Sequence, residues 1–160
     1  GITDGVQPDA YNTYRQGRDS ACADIVIATQ KPDGEHAVML SLRKPNVCFG
    51  NTWWIYGGAI LSYASITEFI AERAQKECGV PVEPRAFLGV YRTCAADHIG
   101  STLQPCYSGF APYEALNRKT TDDGHGAIAL FTLADLEQIP VAQQHWYPMR
   151  VSRLVLESLR

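Results

Sequence analysis

The order of elements in this 160-residue sequence predicts a single α+β domain. Three observations carry that prediction. Two β-rich runs, residues 24–28 and 37–42, flank the turn Lys31-Pro32-Asp33-Gly34, where Pro and Asp-Gly favour a tight reversal. An amphipathic helix lies further on, with Ile66, Phe69, Ile70, Ala74 and Cys78 recurring at steps of three and four. Further β-rich runs at 86–92, 103–111 and 127–132 precede a short helix opened by Leu133-Ala134-Asp135-Leu136 and a terminal helix at 151–159. Strands, helix, strands, helix is an order that suits an α+β sandwich better than a parallel βαβ sheet.

Each element has local punctuation. The first run, Asp24-Ile25-Val26-Ile27-Ala28, is continuously apolar after its aspartate and reads as a central strand, with the second run returning beside it. Trp53-Trp54-Ile55-Tyr56 runs into Gly57-Gly58. Ser65 and Thr67 are candidate caps for the helix, and Gly79 followed by Pro81 ends it. Residues 1–20 are polar and contain glycine, with Tyr11 and Tyr14 as anchors, so they read as an arm ahead of one domain over 21–160. An arm of that kind is expected to pack across a homodimer interface. A monomer in light scattering at micromolar concentration would contradict this.

The length allows one sizeable core. Hydrophobic residues make up 46% and charged residues 19%, values ordinary for a globular chain. The formal net charge of −3, without a run of Lys or Arg, argues against broad nucleic-acid binding. No apolar stretch reaches membrane-span length and the N-terminus carries no basic-then-apolar signal, so no membrane partner and a cytoplasmic location are expected. The five cysteines (Cys22, Cys48, Cys78, Cys94, Cys106) show no C-x-x-C spacing and read as free thiols, not as zinc ligands or a disulfide framework.

The stretch from Gly57-Gly58 through Glu72, Arg73, Lys76 and Glu77 to Gly79-Val80 resembles a Nudix box. The spacing from Gly58 to Gly79-Val80 fits that family's pattern without a gap. The usual acids are largely replaced: Ala64 stands at the first Glu position, Glu72-Arg73 at Arg-Glu and Lys76-Glu77 at Glu-Glu. Residues 128–140 are similar to the family's segment before its last helix, so the resemblance spans roughly residues 22–159. It implies a Nudix-like α/β/α sandwich with a mixed central sheet.

Within that superfamily the chain looks most like the GDP-mannose mannosyl hydrolases, which tolerate a broken box. The resemblance implies Glu77 as the ligand of one Mg²⁺ ion, which as a hard cation prefers carboxylate oxygen. It implies His125, in Asp122-Asp123-Gly124-His125, as general base, with Asp24 and Arg43 as further catalytic groups. Phe87-Leu88-Gly89-Val90-Tyr91 matches the strand that follows the box there. Neutral imidazole is the side chain best suited to general-base work near pH 7. Arg73, Lys76, Tyr56 and His98 are candidate substrate contacts, with His98 also a reserve base. The departures are Gly124 for a glutamine, Ala59 and Glu72 for arginines, and Tyr56 for a proline.

Two functions follow from these residues. One is hydrolysis of a nucleoside diphosphate sugar or related diphosphate, with water attack at the anomeric carbon as the route the resemblance implies. The other is a catalytically weak module that binds a nucleotide or phosphorylated metabolite through Arg43, Arg73 and Lys76. On the plainest alternative, Arg73 and Glu77 are a solvated i,i+4 ion pair contributing roughly 0.2–0.5 kcal/mol.

Overall fold

The computed structural model describes residues 20–46, 49–59, 65–93, 102–117 and 127–160. Residues 1–19 of the arm expected at 1–20, and the histidines His98 and His125, lie outside the described residues. In chain order the elements are β1 (Ser20–Gln30), β2 (His36–Leu42), β3 (Trp53–Trp54), β4 (Tyr56–Ala59), α1 (Ile66–Cys78), β5 (Glu83–Thr93), β6 (Thr102–Phe110), α2 (Tyr113–Asn117), β7 (Ile128–Phe131), α3 (Leu133–Glu137), a 3₁₀ turn (Val141–Gln143) and α4 (Tyr147–Ser158).

Strand β1 is the axis of the sheet, whose order is β3-β2-β1-β6-β5, with β4 also on β1 and β7 on β2. It outruns the apolar run at 24–28 because neighbours supply partners along its whole length. Parallel β6 pairs with it from Ser20↔Thr102 to Ala28↔Phe110. Antiparallel β4 takes Cys22 to Ile25, and antiparallel β2 takes Ile27 to Gln30. One parallel pairing among antiparallel ones makes the sheet mixed. The turn between β1 and β2 closes as its composition predicts: Gly34 adopts φ 88°, its N–H donates to the Lys31 carbonyl, and Asp33 accepts from the Glu35 N–H.

Alternation along the strands sorts the core into two layers. Ala23, Ile25, Ile27, Met39 and Tyr56 pack with Ala74 of α1 and Leu116 of α2. Val26, Ala28, Val38 and Leu40 pack with Leu136 of α3 and with Met149, Val151, Val155 and Leu156 of α4. The result is an α/β/α sandwich with a mixed central sheet. Ile27, Met39 and Leu40 are fully buried, and each such side chain contributes about 1.5–3 kcal/mol.

Helix α1 starts where Ser65 caps it. The Ser65 hydroxyl accepts from the Glu68 N–H and the Glu68 carboxylate accepts from the Ser65 N–H, a reciprocal capping box. It ends at Gly79, whose left-handed φ of 68° lets its N–H reach the Gln75 carbonyl. Helix α4 begins at Tyr147, four residues before the predicted terminal helix at 151–159, and Pro148 in its first turn suits a chain entering a helix. The five-residue α2 lies between β6 and β7, where the sequence predicts no helix. It forms where the Pro112 carbonyl accepts from the Ala115 and Leu116 N–H groups, and Leu116 anchors it in the core. Among the described residues no helix is long and apolar enough to cross a membrane.

Candidate functional site

The paired glycines sit in β4, directly before residues 60–64 and the N-cap of α1. Asp24 and Gly57 are cross-strand partners in the β1–β4 ladder. The Asp24 carboxylate lies against that glycine, since a Cβ on Gly57 would stand 1.8 Å from Asp24 Oδ1. The other carboxylate oxygen accepts a 2.9 Å hydrogen bond from the Tyr147 hydroxyl in the first turn of α4. Asp24 is 5% exposed. Its side chain therefore belongs to the α4 layer, while α1 packs on the other face of the sheet.

Cys106 stands opposite Asp24 on β6. Burial pushes its thiol up to about 12, and the Asp24 charge adds to that rise while a hydrogen bond with Tyr147 opposes it. The Tyr147 phenol is likewise held well above its ordinary value, first by burial and then by the charge of Asp24. Both groups therefore stay protonated at working pH, and Cys106 is no thiolate nucleophile. An unfolded thiol titrates near its ordinary value of 9.0 while the folded one holds its proton to about 12. The stabilisation is thus full below pH 9 and is lost as pH rises through that window. Cys106→Ala is expected to flatten the alkaline fall in stability. Native protein at pH 8 should leave Cys106 unlabelled by iodoacetamide, and peptide mapping that finds it labelled without denaturant would contradict this.

Arg43 follows β2. Its N–H donates to the Thr52 carbonyl at 2.9 Å and its own carbonyl accepts from Asn51 at 3.0 Å. The guanidinium lies over the Trp54 ring, 5.4 Å from its centroid, an arrangement that favours a cation electrostatically. Trp54 stacks on Phe49 at 4.8 Å and meets Trp146, the N-cap of α4, edge-on at 6.3 Å. The turn beneath is strained: Phe49 has φ 56° and Asn51 φ 59°, left-handed values that asparagine tolerates and a bulky aromatic rarely adopts.

On α1, Ala74 faces the core and Glu72, Gln75 and Lys76 are exposed. Positions 73, 76 and 77 are three and four residues apart and share one side of the helix, with Glu77 in its last turn. Among the described residues no three His, Cys, Asp or Glu side chains converge as a metal site. Near the helix end Lys76 is exposed, and Glu68 is engaged in the capping box. An exposed ammonium beside position 77 would repel added metal charge, which disfavours a cluster of ions there.

The sequence-predicted site thus divides. Glu77, Arg73 and Lys76 share α1. Arg43 and Asp24 touch aromatic rings in or beside the α4 layer. Tyr56, expected to contact substrate, is 1% exposed and packs in the α1 layer, so it is a core residue, because alternation turns it to the face opposite Gly57 and Asp24. Tyr147 went unnoticed in the sequence. Pro148 marks the start of its helix, but a partner 123 residues away leaves no local signal.

An open mixed sheet between two helical layers, with a Gly-Gly strand leading into a capped helix, defines an α/β/α class of domain. Solved structures place it within that class. A mutT/nudix family protein from Listeria innocua matches with TM-score 0.66 at 18% identity, covering 88% of this chain and 93% of that one. The NUDIX domain of Shewanella oneidensis NrtR, complexed with ADP ribose, matches with TM-score 0.63 at 21% identity, covering 94% and 93%. Shewanella oneidensis NrtR in a further structure matches with TM-score 0.63 at 21% identity over 87% of this chain, which spans 64% of that protein. NrtR has also been crystallised with a 27mer DNA. No family model matches the chain. No curated protein matches it either. The chain has a Nudix fold.

Proposed function

We propose that this chain is a divergent Nudix-type hydrolase acting on a nucleoside diphosphate derivative, with nucleoside diphosphate sugars as the substrate class. The observation that carries the reading is the frame of α1. The capping box at Ser65 and the left-handed stop at Gly79 bound the helix, leaving Glu77 in its last turn. Glu77 would hold one Mg²⁺ ion, which when bound would neutralise part of the diphosphate charge. Arg43, held over Trp54, and Arg73 would bear on the charge of the leaving diphosphate. His125 would take a proton from water as the water oxygen bonds the anomeric carbon and the carbon–oxygen bond to the diphosphate breaks. A screen of sugar and phosphate release over nucleotide sugars and dinucleotides, with and without Mg²⁺, tests the reading. Glu77→Gln should lower Mg²⁺-dependent turnover at least about 100-fold with the fold intact. Undiminished turnover at saturating substrate in that variant would sink the single-metal site.

A second reading rests on the cations at vacated acid positions and on the ADP ribose bound by the NrtR NUDIX domain. It is a nucleotide-binding module without turnover, using Arg43, Arg73 and Lys76. Mg²⁺ separates the two: ligand affinity that rises with Mg²⁺ favours the hydrolase, and affinity indifferent to it favours the module. The DNA complex of NrtR makes a nucleic-acid partner a further arm of that binding test.

A further inference from the structure

Among the residues whose burial is described, Asp24 is the only buried Asp, Glu, Lys or Arg. It sits in an apolar layer, where a charge is costly unless it is well bonded. Three elements meet at its carboxylate. Gly57 of β4 lies under Oδ1, Tyr147 of α4 donates to Oδ2, and Cys106 of β6 stands opposite in the ladder. Tyr147 is itself held by Tyr91 of β5, with ring centroids 4.6 Å apart.

The glycine explains why the carboxylate is there. Strand β4 has only four residues, two of them glycines, and glycine holds a strand poorly because it has no side chain to pack and much freedom to lose. The Asp24 carboxylate fills the volume that a side chain at position 57 would take on the α4 face. A buried carboxylate stays in one place only if its acceptor oxygens are satisfied, and the Tyr147 hydroxyl meets that need for Oδ2.

We propose that Tyr147 is a positioning residue for the candidate site: by holding the Asp24 carboxylate against Gly57, it fixes the Gly57-Gly58 strand that precedes α1 in the chain. The start of α4 and the mouth of the box then behave as one unit. The positioning role rests on the nucleotide reading given under Proposed function. The mechanical link stands on its own geometry.

Hydrogen exchange on the full chain carrying Tyr147→Phe tests the link. Amide exchange at residues 57–59 should rise at least tenfold, while the β2–β7 amides around Met39 and Leu130 keep their rates. Asp24→Asn, which retains an acceptor oxygen for the tyrosine, should keep most of the protection that Asp24→Ala loses. Unchanged exchange at 57–59 overturns the proposal, and so does an equal rise in β2–β7, which would mean general loosening. Calorimetric titration with ADP-ribose and GDP-mannose in Mg²⁺ supplies the functional arm. Affinity should fall at least fivefold in Tyr147→Phe. Parent protein that binds neither probe overturns the nucleotide reading and the positioning role with it, whatever the exchange shows. Parent binding that Tyr147→Phe leaves unaltered overturns the positioning role alone.

Discussion

Gly57→Ala is expected to cost more than about 4 kcal/mol, beyond the usual range for a single substitution. The new Cβ would stand 1.8 Å from Asp24 Oδ1, 2.6 Å from the Ala23 carbonyl oxygen and 2.8 Å from Asp24 Cγ. None of these can give way cheaply. The oxygen at 2.6 Å is backbone in the central strand, and the carboxylate is buried with its other oxygen bonded to Tyr147. Gly34→Ala is the informative control, because Gly34 has φ 88° but nothing within 4 Å of a new Cβ. Its cost is the left-handed conformation alone, about 1–2 kcal/mol. Urea unfolding of both variants separates crowding from backbone strain. A Gly57→Ala midpoint as close to the parent as that of Gly34→Ala would show that the carboxylate is not seated against the glycine.

His125→Ala is expected to lower turnover roughly 10²–10⁴-fold, the range for a positioned general base, with ligand affinity little changed. This expectation comes from the Asp122-Asp123-Gly124-His125 sequence and the resemblance it carries. The pH–rate profile should also lose an ionisation in the histidine range, about pH 6.5 for an unperturbed side chain. Active protein whose rate ignores the change would remove His125 from the mechanism and turn the search to His98. Protein with no turnover to lose, yet with nucleotide affinity independent of Mg²⁺, would favour the binding module.

Local sequence chemistry alone determined much of this protein. The strands at 24–28 and 37–42, the Lys31–Gly34 reversal and the limits of α1 all follow from side-chain period, caps and glycine stops acting within a few residues, and each has its counterpart in the structure. The α+β class follows from their order. Tertiary structure decided what depends on partners distant in the chain. The length of β1 is set by β6, β4 and β2 together. Tyr56 entered the core because its ladder position turns it toward α1, which the aromatic run Trp53-Trp54-Ile55-Tyr56 does not reveal. The resemblance implies Asp24 as a catalytic group, and the sheet's alternation sets it in the α4 layer, where Tyr147 meets it from 123 residues away. Caps and periods are short-range and leave a signature in adjacent residues. A buried carboxylate filling the space above a glycine is a coincidence of three strands and a helix, and only their packing brings it about.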